Sequence, residues 1–340
     1  MNQNEYYYRR VIGCIGASLL FFLLFINVFG LTAGFVGVFL DFLPIKEVTA
    51  TVVYQLFYAA GYLLSFMMPV LILKSLVKKQ AIPYRPMRTE MKMTPWILLI
   101  VPAGISLVYA MAYVNGAFVS IFDYSEFSSG VLWGSETDHP KLYHWVLELI
   151  TLCLVPGFCE EFFFRGAILT NCLPFGRTNA ILISAFLFAM MHQNAEQVLY
   201  TFVAGIVLGV VYERTGNIWA CTVLHILNNF TSLYQNALIA KAKSLFSANL
   251  AVAILETAIF VVGLISLTIL IVRFFSKKPI FGEGFFGRSL KASDGYAQYP
   301  IEGGRAVKLF FTPCMVIFLV LAVLQILLLI FTAVLYGMAG

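Results

Sequence analysis

Apolar runs of about 18 or more residues recur from one end of this 340-residue chain to the other. Each is long enough to cross a bilayer's ~30 Å hydrocarbon core as a helix rising ~1.5 Å per residue. Inside hydrocarbon the backbone must satisfy its own hydrogen bonds, which leaves only helices and closed barrels as spanning structures. The ten-residue alternation that marks a barrel strand does not appear. Composition agrees, with 61% of residues hydrophobic and 11% charged, where a soluble chain carries about 25% charged residues. The expected fold class is all-α, a polytopic transmembrane helix bundle.

Nine spans are expected, roughly at 11–40, 51–74, 95–118, 143–172, 179–193, 197–213, 218–237, 250–272 and 309–336. Basic residues gather in alternate loops: Arg9 and Arg10 before the first span, Lys74 to Lys92 after the second, and Arg273 to Lys308 after the eighth. The excess of lysine and arginine on the cytoplasmic side therefore places the N-terminus in the cytoplasm. The loop at 119–142 is mainly acidic and falls on the other side. The run that follows Arg9 and Arg10 continues to about Leu40 without a small-residue cleavage site, so it reads as a retained helix and not a signal peptide. The chain 1–340 reads as one membrane domain, with 275–307 as a cytoplasmic loop.

The net charge of +5 comes from these loops and forms no basic stripe, so no nucleic-acid partner is expected. The six cysteines lie in or beside apolar stretches without CxxC pairing and read as core-filling residues.

The interior is bland except between Thr151 and Phe230, which holds Glu160, Glu161, Arg165, His192, His225, Asn228 and Asn229. A charge at the bilayer centre costs about 2.5–3.5 kcal/mol on insertion scales, so these residues must face one another or a wet cavity. Glu161 and Arg165 are four apart, on one helix face, and can pair. Glu160 points about 100° away, which leaves it open to acid–base chemistry. Phe188 and His192 share a face on the next span, as do His225 and Asn229 on a third. Counting from the cytoplasmic helix ends at ~1.5 Å per residue, Glu160 and His192 lie about 20 Å deep and His225 and Asn229 about 12–18 Å. Four polar groups from three helices can converge. Pro156-Gly157 is placed to kink the helix just ahead of the glutamates.

Three motifs in this region resemble those of the CAAX protease and bacteriocin-processing family, which includes type II CAAX prenyl endopeptidase-like intramembrane proteases. They are Glu160-Glu161-Phe-Phe-Phe-Arg165, Phe188-Ala-Met-Met-His192 and His225-Ile-Leu-Asn-Asn229, in that order on consecutive apolar segments. The resemblance covers roughly 150–232, under a third of the chain. It implies an intramembrane endopeptidase acting on a membrane-associated or lipid-linked peptide, in the plasma membrane of a bacterial cell. By position it makes Glu160 and His192 the water-activating pair, His225 and Asn229 the oxyanion donors, and Glu161 and Arg165 their support.

The family is often described as metal-dependent, and Glu160, His192 and His225 could supply a zinc set with an open position. No HExxH motif is present, and a glutamate bound to zinc is less free to act as a base. Both routes stay open at this level. Two other function classes stand beside the peptidase. One is a non-catalytic bacteriocin-immunity or regulatory membrane protein of the same family. The other is a proton-coupled transporter, which would show repeated halves or paired broken helices; neither is found. The expected partners are membrane lipid and a peptide substrate. The sequence leaves the oligomeric state undetermined.

Overall fold

The computed structural model of the chain describes residues 1–80, 84–89, 97–120, 141–241, 245–276 and 299–339. Ten helices are described: α1 (Gln3–Asp41), α2 (Glu47–Lys79), α3 (Ile97–Ser120), α4 (142–175), α5 (Arg177–Met191), α6 (Ala195–Thr215), α7 (Ile218–Lys241), α8 (Leu245–Ser276), α9 (Gly303–Phe310) and α10 (Pro313–Ala339). The described residues hold no strand, only one isolated bridge between Thr89 and Asn217. The protein is an all-α bundle of the expected class. Most of the acidic loop 119–142 and of the loop 275–307 lies outside the described residues.

Each expected span overlaps a described helix, and the differences are informative. Six described helices contain stretches long and apolar enough to cross a membrane: Gln3–Asp41, Glu47–Lys79, Leu98–Asn115, Gln197–Thr215, Leu250–Arg273 and Pro313–Thr332. The expected fourth, fifth and seventh spans are the ones that carry the polar motifs. The last span begins at Pro313 and not at 309, after the short amphipathic α9. Proline keeps the residue before it out of the α region and is itself well suited to a first helical position, so the chain breaks and restarts there.

Local signals set the ends of the elements. Asn2 and Glu5 form a reciprocal capping box that starts α1. Gly176, at φ +132°, lets the chain reverse between α4 and α5. Gly216, at φ +61°, ends α6 in the left-handed conformation that glycine adopts at low cost. Asn217 Oδ1 then accepts from Trp219 N–H (2.9 Å) and caps α7.

The α4 helix is central, packed against α2 and α7. The α5–α6 hairpin covers it on another side, and α3 and α8 form an outer pair beside α6. Burial is inverted relative to a soluble protein. Only 11% of the apolar window in α8 and 17% of that in α10 is buried, against 50% in α1. The outer helices present leucine, valine and phenylalanine to lipid, while charged and amide side chains collect inside. Association in lipid depends on close packing more than on hydrophobic expulsion. Small residues accordingly mark the tight crossings. A Cβ on Gly16 would lie 2.6 Å from Met315 N, and one on Gly205 would lie 2.7 Å from Ala185 Cα.

Two features set up the interior. First, α4 is not a uniform helix. Wide π turns at Leu149–Leu154 and Phe162–Leu169 flank the α turn Val155–Glu161 that carries the glutamates. The expected kink at Pro156-Gly157 is therefore a widened helix on both sides of the glutamates. Second, α5 has only 15 residues, or ~22 Å by rise per residue, short of a ~30 Å hydrocarbon core. The turn 192–194 that follows contains buried Gln193 at φ +51°. Irregular backbone at that depth is tolerated where protein or a watery cavity surrounds it.

Candidate active site

The α turn of α4 holds Glu160 and Glu161 on adjacent positions, 4% and 0% exposed. Arg165 lies four residues on and is also 0% exposed. Its Nη1 donates to Glu161 Oε1 at 2.8 Å. Its Nη2 donates to the Gly205 carbonyl of α6 at 3.2 Å. The guanidinium also lies 4.4 Å from the centre of the Phe188 ring, a cation–π contact that gains strength away from water. Arg165 is thus held by a carboxylate, a carbonyl and an aromatic face from three helices.

Glu161 has a second partner. His225 on α7 places Nδ1 2.8 Å from the same Oε1 that Arg165 contacts. The other imidazole nitrogen, Nε2, faces Glu160 Oε2 at 3.8 Å. His225 therefore sits between the two glutamates, bonded directly to one and a little beyond hydrogen-bond reach of the other. On the far side of Glu160, Tyr62 of α2 donates its hydroxyl to Oε1 at 2.6 Å. Glu160 Oε2 is buried with no hydrogen-bonding partner among the described residues.

His192 caps the C-terminal end of α5 rather than lying within it. Its Nδ1 is 2.8 Å from Phe188 O, which fixes the ring and turns Nε2 away from the helix. The Phe188 ring packs edge-on against both His192 (4.9 Å) and His225 (5.9 Å). His192 and Glu160 line one cavity, without a direct hydrogen bond between them among the described residues.

Asn229, one turn beyond His225, lines the same cavity, and its Nδ2 donates to Leu152 O at 3.1 Å. Leu152 lies in the π turn, where Val155 N–H reaches back five residues to Ile150 O and the next residue, Pro156, has no N–H to give. The neighbouring Asn228 donates to Asn229 Oδ1 at 3.4 Å.

The cavity has a volume of about 810 Å³, within the ~300–1,000 Å³ of small-ligand sites. Its walls come from α2, α3, α4, α5, α6, α7 and α8, and it runs from Glu160 and His192 toward Glu256. Glu256 accepts a hydrogen bond from the Tyr113 hydroxyl at that far end. Glu148, two turns after the start of α4, is 1% exposed.

Of the seven polar residues singled out from the sequence, Glu160, His192, His225, Asn228 and Asn229 line this cavity, Glu161 bonds His225, and Arg165 bonds Glu161 behind it. The three-ligand metal set does not form: among the described residues no group of three His, Cys, Asp or Glu side chains could hold a metal ion. Glu160, His192 and His225 do not close into such a group. Sequence reasoning passed over Tyr62, although Tyr58 and Tyr62, four apart in an apolar span, are the kind of polar-tipped pair that could have flagged it. It also missed the bond from Glu161 to His225.

Residues 142–231 match the model of a known family, described as type II CAAX prenyl endopeptidase Rce1-like. The matched segment holds all three motifs and supports the family resemblance read from them. No curated protein and no solved structure matches the chain.

Proposed function

Taking as premise that this integral multi-pass membrane protein carries a type II CAAX prenyl endopeptidase-like core at 142–231, we propose that it hydrolyses a peptide bond of a membrane-associated or lipid-linked substrate within the cavity. The observation that carries the reading is the juxtaposition at Glu160. A buried carboxylate oxygen with no hydrogen-bonding partner among the described residues sits at the cavity, 3.8 Å from an imidazole nitrogen, and can accept a hydrogen bond from a water in that cavity.

In this reading Glu160, assisted by His192, takes a proton from that water, and the oxygen attacks the scissile carbonyl carbon. The carbonyl π electrons move to oxygen, and the oxyanion accepts hydrogen bonds from His225 Nε2–H and the second amide N–H of Asn229. One such donor is typically worth about 10²–10³ in turnover. The tetrahedral species then collapses, the C–N bond breaks, and the proton held by Glu160 passes to the leaving amine. A donor at Nε2 while Nδ1–H bonds Glu161 makes His225 the imidazolium. Glu160, Glu161, Arg165 and His225 then sum to zero charge, which suits a site enclosed by apolar helices. Tyr62 holds Glu160 from the other side. No step is assigned to a metal.

The test is a comparison of membrane and secreted peptides between cells carrying the wild type and Glu160→Ala, followed by cleavage of the affected peptide by purified protein in liposomes. Glu160→Ala and His192→Ala should each lower the rate by about 10²–10⁴, the usual contribution of a positioned acid–base group. Full activity in either purified variant sinks the proposal.

A further inference from the structure

A second cavity, about 450 Å³, lies far from the glutamates, where the first turns of α1 meet the end of α2 and the start of α10. Arg9 and Arg10 line it, and the lining residues include no aspartate or glutamate. They are the last charged residues before the apolar run of α1 begins. Arg10 is held in place, its Nη1 donating to Gln80 Oε1 at 2.7 Å and its guanidinium resting 5.0 Å from the Tyr6 ring centre. Ala17 and Leu76 carry the wall on along α1 and α2.

Thr312 forms the floor. Val316 N–H donates to its carbonyl at 2.9 Å, which makes Thr312 the N-cap of the 27-residue α10. A threonine there ordinarily turns its hydroxyl back onto the helix's first N–H groups. This one does not: Thr312 is 3% exposed, and its Oγ1 has no hydrogen-bonding partner among the described residues. Loop charge on the cytoplasmic side accounts for Arg9 and Arg10. It does not account for a buried, unpartnered hydroxyl at a helix N-terminus between them and an apolar wall.

We propose that this cavity binds a phosphate group, presented by the headgroup of a membrane phospholipid. Two guanidinium groups supply charge-assisted donors, the N-terminus of α10 adds its partial positive charge, and Thr312 supplies an O–H donor. The acyl chains leave along the Ala17 and Leu76 wall. A free phosphate ion would use the same donors without the wall.

Two probes separate these sources: dihexanoyl phosphatidylglycerol and inorganic phosphate, each titrated into purified full-length protein while its unfolding temperature is followed. A ligand that binds only the folded state raises that temperature once its concentration passes Kd, and the rise continues with the logarithm of concentration. The short-chain lipid should do so at lower concentration than phosphate, and phosphate should compete with it. Equal potency of the two assigns the site to the free anion. Exchanging both arginines for glutamine should weaken binding about tenfold or more, as expected for lost hydrogen bonds to a charged group. Thr312→Val, which keeps the shape and the helix, should weaken it severalfold and keeps the test intact if the arginine variant does not fold. An unfolding temperature that neither probe raises, or equal affinity in wild type and Thr312→Val, overturns the proposal.

Discussion

Neutralising Glu161 alone, by Glu161→Gln, should destabilise the bundle more than neutralising Glu161 and Arg165 together. Both side chains are 0% exposed, and the pair meets at 2.8 Å. Glutamine keeps an oxygen in place for Arg165 and His225, so the main loss is charge. The Arg165 guanidinium is then left buried with only the Gly205 carbonyl and the Phe188 ring for compensation. Breaking a buried pair by removing one partner costs about 3–5 kcal/mol, a large share of the ~5–15 kcal/mol that holds a typical domain together. In Glu161→Gln/Arg165→Gln no charge is stranded, and the two amides can still bond. The coupling between the two sites should therefore exceed the whole cost of Arg165→Gln alone, at or above the top of the ~0.5–3 kcal/mol seen for directly contacting residues. Reversible unfolding of the four proteins in mixed detergent micelles of increasing SDS fraction measures the cycle. If Glu161→Gln alone stays within about 0.5 kcal/mol of wild type, the range of an ordinary surface change, or if the two single effects simply add, the buried-pair reasoning is wrong.

Removing the Tyr62 hydroxyl by Tyr62→Phe takes away the donor to Glu160 Oε1 while keeping the ring packed on Phe66. Peptide cleavage should slow about tenfold, the effect of one charge-assisted hydrogen bond, and the acidic limb of the pH–rate profile should move; a uniform fall at every pH would make Tyr62 merely structural. Gly205→Ala places a Cβ 2.7 Å from Ala185 Cα, a backbone atom that cannot swing aside. It should cost about 1–3 kcal/mol in the same SDS titration, as overpacking does, and unchanged stability would show that α5 and α6 can separate there without penalty.

The bundle and the motif helices were legible because both follow from short-range rules. Span length reads directly from apolar runs, and an i,i+4 spacing puts Glu161 beside Arg165 even though Arg165 lies in a π turn. Gly205 and Gly209 stand four apart in one apolar run, a small-residue spacing suited to helix packing, and Gly205 seats on Ala185. What stayed hidden depends on distance along the chain or on one-residue changes in helix winding. Tyr62 reaches Glu160 across 98 positions, with no motif linking them. The π turns shift the residue order around α4 without any change in its apolar pattern. The end of α5 at Met191, which puts His192 on a cap, follows from the turn at Gln193 and not from any helix-breaking residue in the run.

The widened turn of α4 ties the shape of that helix to the wall formed by α7. Val155 N–H reaches back five residues to Ile150 O, and Pro156, the next residue, has no N–H to bring the ladder back to four-residue spacing. Leu152 O, inside that turn, accepts from the amide of Asn229. A substitution at 156 that let the ladder close to ordinary α spacing would set a backbone donor in competition with Asn229 for that carbonyl. A change that looks stabilising by helix propensity would then loosen the cavity wall from the opposite helix.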